Sequence, residues 1–209
     1  GPALPGGTQG EGGAVYAYPD DSNQVTVTGY YDVNGNPLGS SSRTLAADRD
    51  VVEEVENNWG SVSPLVSKYH YASDALARRT SVVTTGSAYN PGRWTKWVYD
   101  ARNELTESRR YTGTTVGGGS QVPLQQFVFD YDPIGNRESY QGDGLEGALT
   151  YTRNPLNQYT ATSQPTKVFE YDQDVDGEND GNLTQDGKYD YTYDGENRLR
   201  TVTPRNPGN

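Results

Sequence analysis

Tyr191-Thr192-Tyr193-Asp194-Gly195-Glu196-Asn197-Arg198-Leu199 is the stretch that decides the fold. Residues two apart on a strand share a face, so Tyr191 and Tyr193 stack on one side and Thr192 points to the other. Asp194 opens a turn, because its short carboxylate accepts backbone N–H groups of the residues that follow. Asn197 tolerates a positive φ and ends the turn. Leu199-Arg200-Thr201-Val202 supplies the returning strand. The segment reads as one β-hairpin.

The pattern recurs along the chain. Strong copies are Phe129-Asp130-Tyr131-Asp132-Pro133-Ile134-Gly135-Asn136-Arg137, Trp97-Val98-Tyr99-Asp100-Ala101-Arg102-Asn103-Glu104-Leu105 and Tyr30-Tyr31-Asp32-Val33-Asn34-Gly35-Asn36. Weaker copies are Tyr71-Ala72-Ser73-Asp74-Ala75-Leu76-Ala77-Arg78 and Tyr151-Thr152-Arg153-Asn154-Pro155-Leu156-Asn157-Gln158. Phe169-Glu170-Tyr171-Asp172 opens another, whose Gly181-Asn182-Leu183 arrives late, and Tyr16-Ala17-Tyr18-Pro19-Asp20 is a shortened start. From Asp74 onward the turn residues fall at 74, 100, 132, 154, 172 and 194. A single hairpin cannot bury its narrow aromatic face alone, so the units must pair side by side. The expected fold class is all-β.

Composition agrees with a thin sheet. Of 209 residues only 32% are apolar, and 17 Tyr outnumber the 3 Trp and 3 Phe. A core made largely of tyrosines works only where each hydroxyl keeps a partner or reaches water. The net charge of −11 argues against nucleic acid and anionic membranes as partners, since both need clustered Lys and Arg. It makes a divalent cation a candidate. With no Cys, disulfides, thiolate zinc sites and thiol nucleophiles are excluded. A Ser-His-Asp arrangement would have to use His70, which sits between Tyr69 and Tyr71 and reads as a sheet-surface residue. No apolar run reaches the roughly 18–20 residues of a membrane-spanning helix, so no membrane insertion is expected. Arg78-Arg79 and Arg109-Arg110 lie near Trp94, Trp97 and Tyr111 in sequence. They read as cross-strand cation–π packing, with stacking on sugar rings as the alternative.

Three segments stand outside the repeats. Residues 1–13 read as a flexible tail, with Gly1-Pro2 as a protease-cleavage scar, and 14–209 as the repeat domain. Thr44 to Asn58 is open to two readings, a short helix from the near-helical spacing of Leu45, Asp48, Val51, Val52 and Val55, or an irregular strand pair. Thr112 to Gln125, with Gly117-Gly118-Gly119-Ser120, reads as a long exposed loop.

These repeat cores resemble the YD repeats of Rhs proteins, teneurins and the cocoon-forming subunits of bacterial Tc toxins. Tyr191 to Leu199 and Tyr131-Asp132-Pro133-Ile134-Gly135-Asn136-Arg137 lie very close to the family's pattern, and the resemblance runs from about Tyr16 to Pro204. It implies tandem hairpins forming a curled antiparallel β-ribbon, a partial shell or solenoid. In that family the shell encloses a toxin domain or scaffolds cell-surface adhesion. A closed shell needs many more repeats than these, and no C-terminal toxin domain is visible. Self-cleavage sites of the family carry an Asp-Pro-x-Gly-Leu core, whereas Asp132-Pro133-Ile134-Gly135 is followed by Asn136; that segment reads as an ordinary repeat turn.

Asp172-Gln173-Asp174-Val175-Asp176-Gly177-Glu178-Asn179-Asp180 resembles EF-hand and thrombospondin type 3 calcium loops. Alternating carboxylates converge on a hard cation, Gly177 makes the sharp turn, and the Glu178 carbonyl is a further ligand. Leu183 stands where an EF-hand has its bidentate Glu. Asp172, Asp174, Asp176, Glu178 and Asp180 are therefore the candidate metal ligands, with calcium as the candidate cofactor. The alternative is a solvated acidic insertion in a repeat turn.

The expectation is a structural, non-enzymatic shell module of a larger secreted or cell-surface protein. Its partners would be other segments of the parent protein or an enclosed polypeptide. The alternative is an adhesive module that binds glycan or protein on its exposed face.

Overall fold

A computed structural model describes residues 12–20, 22–60, 64–142, 144–172 and 180–205. Among them there is no α-helix, and one short 3-10 turn at Ser87–Tyr89 interrupts an otherwise all-β chain. The chain divides into two compact units, Gly1–Gln126 and Phe127–Asn209.

The first unit holds β1 (Gly13–Ala17), β2 (Val27–Tyr31), β3 (Pro37–Leu45), β4 (Val52–Trp59), β5 (Leu65–Ser73), β6 (Arg79–Thr85), β7 (Arg93–Tyr99) and β8 (Leu105–Thr112). It also holds the first part of β9 (Gln121–Tyr131). Each strand pairs with the next in sequence, and the pairings from β1 to β8 are all antiparallel.

The second unit continues with the rest of β9, then β10 (Arg137–Gly142), β11 (Leu149–Arg153), β12 (Tyr159–Ser163) and β13 (Thr166–Val168). A separate run follows, of β14 (Glu170–Tyr171), β15 (Leu183–Gln185), β16 (Tyr189–Tyr193) and β17 (Leu199–Pro204). Both runs are antiparallel in sequence order. Only Phe169 separates β13 from β14, and its N–H donates to Thr160 O at 2.9 Å.

Few apolar side chains leave water. Among the described residues only Val82 and Trp94 are buried hydrophobics. Tyrosines do the remaining packing, and their hydroxyls keep partners as burial of a phenol requires. Tyr69 and Tyr89 share a hydroxyl–hydroxyl bond of 2.6 Å, and Tyr191 donates to Asp186 Oδ2 at 2.9 Å. Arg79 lies 4.0 Å above the Tyr71 ring and Arg78 4.8 Å above Tyr99; this is cation–π packing, but on Tyr71 and Tyr99 rather than on the expected Trp94, Trp97 and Tyr111. His70 is exposed on β5, with Nδ1 3.5 Å from Glu54 Oε2, again as expected.

Several expectations are corrected. Of the two readings of Thr44 to Asn58 the strand pair holds and the helix does not: β3 runs to Leu45, residues 46–51 turn, and Val52, Val55 and their neighbours form β4. Its β-branched residues favour a pleated strand with neighbours on both sides. The loop expected at Thr112 to Gln125 is confined to residues 113–120, because β9 already starts at Gln121. That loop also covers something: the Trp94 indole, stacked on Tyr111 at 4.3 Å, donates to Gly118 O at 2.8 Å. At the start of the chain Gly13 already belongs to β1. In the bend after β1 the Ser22 Oγ accepts Gln24 N–H at 3.1 Å.

Candidate functional site: the ladder of Tyr-Asp turns

Each repeat turn is built around one side chain. In the Asp132 turn, Oδ1 accepts the N–H groups of Ile134 and Asn136 at 2.9 and 2.8 Å, and Oδ2 accepts Asn136 Nδ2 at 2.8 Å. The backbone closes around it, Asp132 N–H to Asn136 O and Gly135 N–H to Asp132 O. This forces a positive φ on the fourth turn residue, 92° at Gly135. The same φ sign appears at Gly35, Ala77, Asn103, Asn157 and Asn197. A register shift follows in every one of these hairpins, as a type I turn ending in a left-handed residue requires.

Asp32, Asp74, Asp100 and Asp194 repeat the two backbone bonds on Oδ1. Asn154 shows why an amide serves equally. Its Oδ1 accepts Leu156 and Gln158 N–H, and its Nδ2 donates to Gln158 Oε1 at 2.7 Å. The polarity of the last bond is inverted, and the fifth turn residue has changed from a donor to an amide that accepts.

Consecutive turns are joined by two recurrent bonds. In the first, the side chain of the residue that closes the turn, fifth in the Asp74 and Asp132 turns and Asn182 in the longer Asp172 turn, donates to the Asn at the fourth position of the following turn. Arg78 reaches Asn103 Oδ1 at 2.8 Å, Asn136 reaches Asn157 Oδ1 at 2.6 Å, and Asn182 reaches Asn197 Oδ1 at 2.9 Å. In the second, the Tyr before the turn Asp donates to the first carbonyl of the preceding hairpin's returning strand. These pairs are Tyr99 to Arg79 O at 2.9 Å, Tyr171 to Tyr159 O at 2.9 Å and Tyr193 to Leu183 O at 3.0 Å. Where Arg153 replaces that Tyr, its guanidinium lies 2.7 Å from Asp132 Oδ2. In the sequence the Asn residues read only as positions of positive φ; the polar residue that follows Ala77, Gly135 and Gly181 is the available signal for these bonds.

The carboxylates of Asp32, Asp74, Asp100, Asp132 and Asp194 titrate below their ordinary value. At Asp194 the N–H groups of Arg198 and Glu196 hold the charged form, with the Arg198 side chain adding to them. At Asp32 the side chain and backbone of Asn36 do so. The Glu104 N–H leads at Asp100. At Asp74 and Asp132 desolvation pushes the other way, and the combined hydrogen bonds and nearby Arg charge outweigh it. A depressed folded-state value adds stability that is complete above the unfolded value near 3.8 and is lost as pH falls through the folded values. The melting temperature should therefore be flat down to about pH 5 and fall steeply below about pH 4, with net proton uptake on unfolding there. A scan that stays flat to about pH 2.5 would remove these carboxylates from the stability of the fold.

The candidate calcium loop is only partly placed. Asp174, Asp176 and Glu178 lie outside the described residues. Asp172 behaves as a turn residue, with Oδ1 and Oδ2 accepting Asn182 N–H and Nδ2 at 2.9 and 2.8 Å. Asp180 is exposed. Among the described residues no group of three His, Cys, Asp or Glu side chains converges as a metal site would, and no helix is long and apolar enough to cross a membrane.

No protein-family model matches the chain. Two curated proteins are similar to it, the tRNA nuclease WapA of Bacillus subtilis strain 168 and the tRNA3(Ser)-specific nuclease WapA of Bacillus spizizenii. Each is 28% identical over 109 residues, which is 51% of this chain and 4% of the nuclease. The chain thus spans a small fraction of the relatives it matches. A porin-like protein from Bacteroides uniformis superposes with TM-score 0.35 and 12% identity, over 88% of this chain and 94% of its own. The TcdB2-TccC3-Cdc42 structure superposes with TM-score 0.33 and 12% identity, over 95% of this chain and 16% of its own. These scores are too low to equate the folds.

The nucleases correct one expectation. Enzymes were set aside because the chain lacks thiols and carries a single His, yet both curated relatives are enzymes. Composition of one stretch does not report on chemistry that a much longer protein carries elsewhere.

Proposed function

We propose that this chain is a YD-repeat wall segment of the Rhs and Tc-toxin type, in a larger secreted or surface protein, and that the wall encloses or displays a polypeptide bearing the activity. The observation that carries the reading is the ladder of turn-to-turn bonds. The Asp74 and Asp172 turns are each fixed to the next by both bonds, and the Asp132 and Asn154 turns by one of them, so hairpins are held by neighbour contacts without a central core, as a wall must be. Similarity to a short stretch of two long nucleases supports the same placement.

Two measurements test it. In the full-length protein that contains this segment, the enclosed polypeptide should resist trypsin under conditions that cleave it once the repeats are unfolded in acid. On a glycan array the segment itself should bind nothing saturably. Rapid cleavage of the cargo in the intact protein, or a saturable glycan isotherm, would overturn the wall in favour of an adhesive module.

Calcium belongs to the same proposal. The alternating acids from Asp172 to Asp180 fit a hard cation with several oxygen ligands. Calorimetry should give a one-site calcium isotherm that disappears in the Asp174→Ala, Asp176→Ala double variant. Absence of heat at millimolar calcium in the parent chain rejects the site.

A further inference from the structure

We propose that the outer edge of β17 is a docking site for a further hairpin carrying Tyr-Asp-x-x-Asn at its turn, recognised by the Arg198 guanidinium and the Leu199 carbonyl. The partner is taken from the wall reading; the contact is argued from geometry alone.

Where both joining bonds are seen together, the recipient hairpin has a fixed arrangement. At the Asp74 turn, Arg78 Nε bonds its own Asp74 Oδ2 at 2.7 Å. That leaves the rest of the guanidinium for the next turn, with bonds to Asn103 Oδ1 at 2.8 Å and Asp100 O at 3.2 Å. The Arg79 carbonyl, one residue on, accepts the Tyr99 hydroxyl at 2.9 Å. Arg49, in the turn before, likewise donates to Asp74 O at 2.8 Å.

The Asp194 turn repeats the recipient half. Arg198 Nε bonds its own Asp194 Oδ2 at 2.9 Å. Covered by its neighbour, the Arg78 side chain is 24% exposed; that of Arg198 is 70% exposed. All six residues of β17 are exposed, although the strand carries Leu199 and Val202. Arg198 also pairs with Glu196 at 2.9 Å, with both side chains at 70% exposure or above. An ion pair so open to water is weak and exchangeable. An exposed strand edge offers backbone groups that seek a partner, and the side chains at this one are those that elsewhere select a Tyr-Asp hairpin.

The recipient geometry also fixes the register. Ser81, seven residues after Asp74, faces Lys96 of the incoming strand. Thr201, seven residues after Asp194, should face the same position of the docked hairpin.

The test uses the full chain and one peptide, residues 93–112, closed by a disulfide across the Arg93–Thr112 pair. Saturable binding is expected, with new amide-exchange protection along β17. Arg198→Ala in the chain, and Asn103→Gly or Tyr99→Phe in the peptide, should each weaken binding about tenfold. The peptide is basic and the chain acidic, so the two peptide variants, which leave charge unchanged, separate recognition from attraction. No binding, equal binding by all variants, protection confined to β1, or self-association of the chain that the peptide leaves intact would each overturn the assignment. Should the peptide dock as described while the chain binds glycan saturably, the wall reading falls and the docking edge stands. A silent array with no docking reverses that outcome.

Discussion

Asp132→Ala should lower the melting temperature on the order of 10 °C, far more than the same change at Asp194. Asp132 is the most enclosed of the large buried side chains, at 1% exposure. Its two oxygens hold the Ile134 and Asn136 N–H groups, the Asn136 amide and the Arg153 guanidinium. Removing it strands the two N–H groups of a tight turn and leaves Arg153 with Glu138 at 3.7 Å as its remaining ion pair. Unpaired buried donors cost more than the bonds themselves contributed. Asp194 makes analogous bonds, but its side chain is 33% exposed, so water replaces what alanine removes.

The amide in the neighbouring repeat sharpens the test. Asp132→Asn alone sets an NH2 against the Asn136 amide and Arg153, donor against donors. Adding Asn136→Gln copies the Asn154–Gln158 pair, in which the fifth residue accepts. The double variant should recover part of the loss, and the remainder belongs to Arg153. Equal melting temperatures for Asp132→Ala and Asp194→Ala would show that burial does not govern these turns.

The repeats were legible because each turn is a local device. An Asp that accepts two N–H groups and a residue that tolerates positive φ occupy fixed offsets, so Asp32, Asp100, Asp132 and Asp194 announce themselves. Even the degenerate Ala77 adopts φ 63°, since the surrounding hairpin dictates what its side chain disfavours. Nothing local tells which turn touches which. Arg78 and Asn103 are 25 residues apart, and their bond exists only because two strands of suitable length lie between them. The spacing at Thr44 to Asn58 leaves helix and strand pair both open for the complementary reason. Apolar residues at near-helical intervals also fit a strand whose two faces are both half-buried, as the burial of β4 shows. For Trp94 the alternative of a sugar platform fails because its cover arrives from residue 118, which strand order places over it and composition does not.

Gly86→Ala should destabilise the first unit by about 3 kcal/mol or more. Gly86 has φ 105° and ψ 175°, a region that residues with a Cβ scarcely enter. A Cβ there would also stand 2.5 Å from Val66 O and 2.9 Å from Ser67 Cα. Both are backbone atoms of β5, and Ser67 is buried, so no flexible side chain can swing away. Relief would need β5 and the end of β6 to part at the Lys68–Thr85 pair. The Ser87–Tyr89 turn, which starts from Gly86, would move with it and break the Tyr69–Tyr89 hydroxyl bond. Gly35→Ala separates the two causes. Gly35 has φ 80° with nothing within 4 Å of a Cβ, so only the backbone strain of roughly 1 kcal/mol applies. Denaturant midpoints of the two variants give the difference. A larger loss at Gly86 assigns the excess to the approach of β6 on β5; equal losses would mean that the sheet opens there at little cost, and that the close approach is not what fixes the pairing.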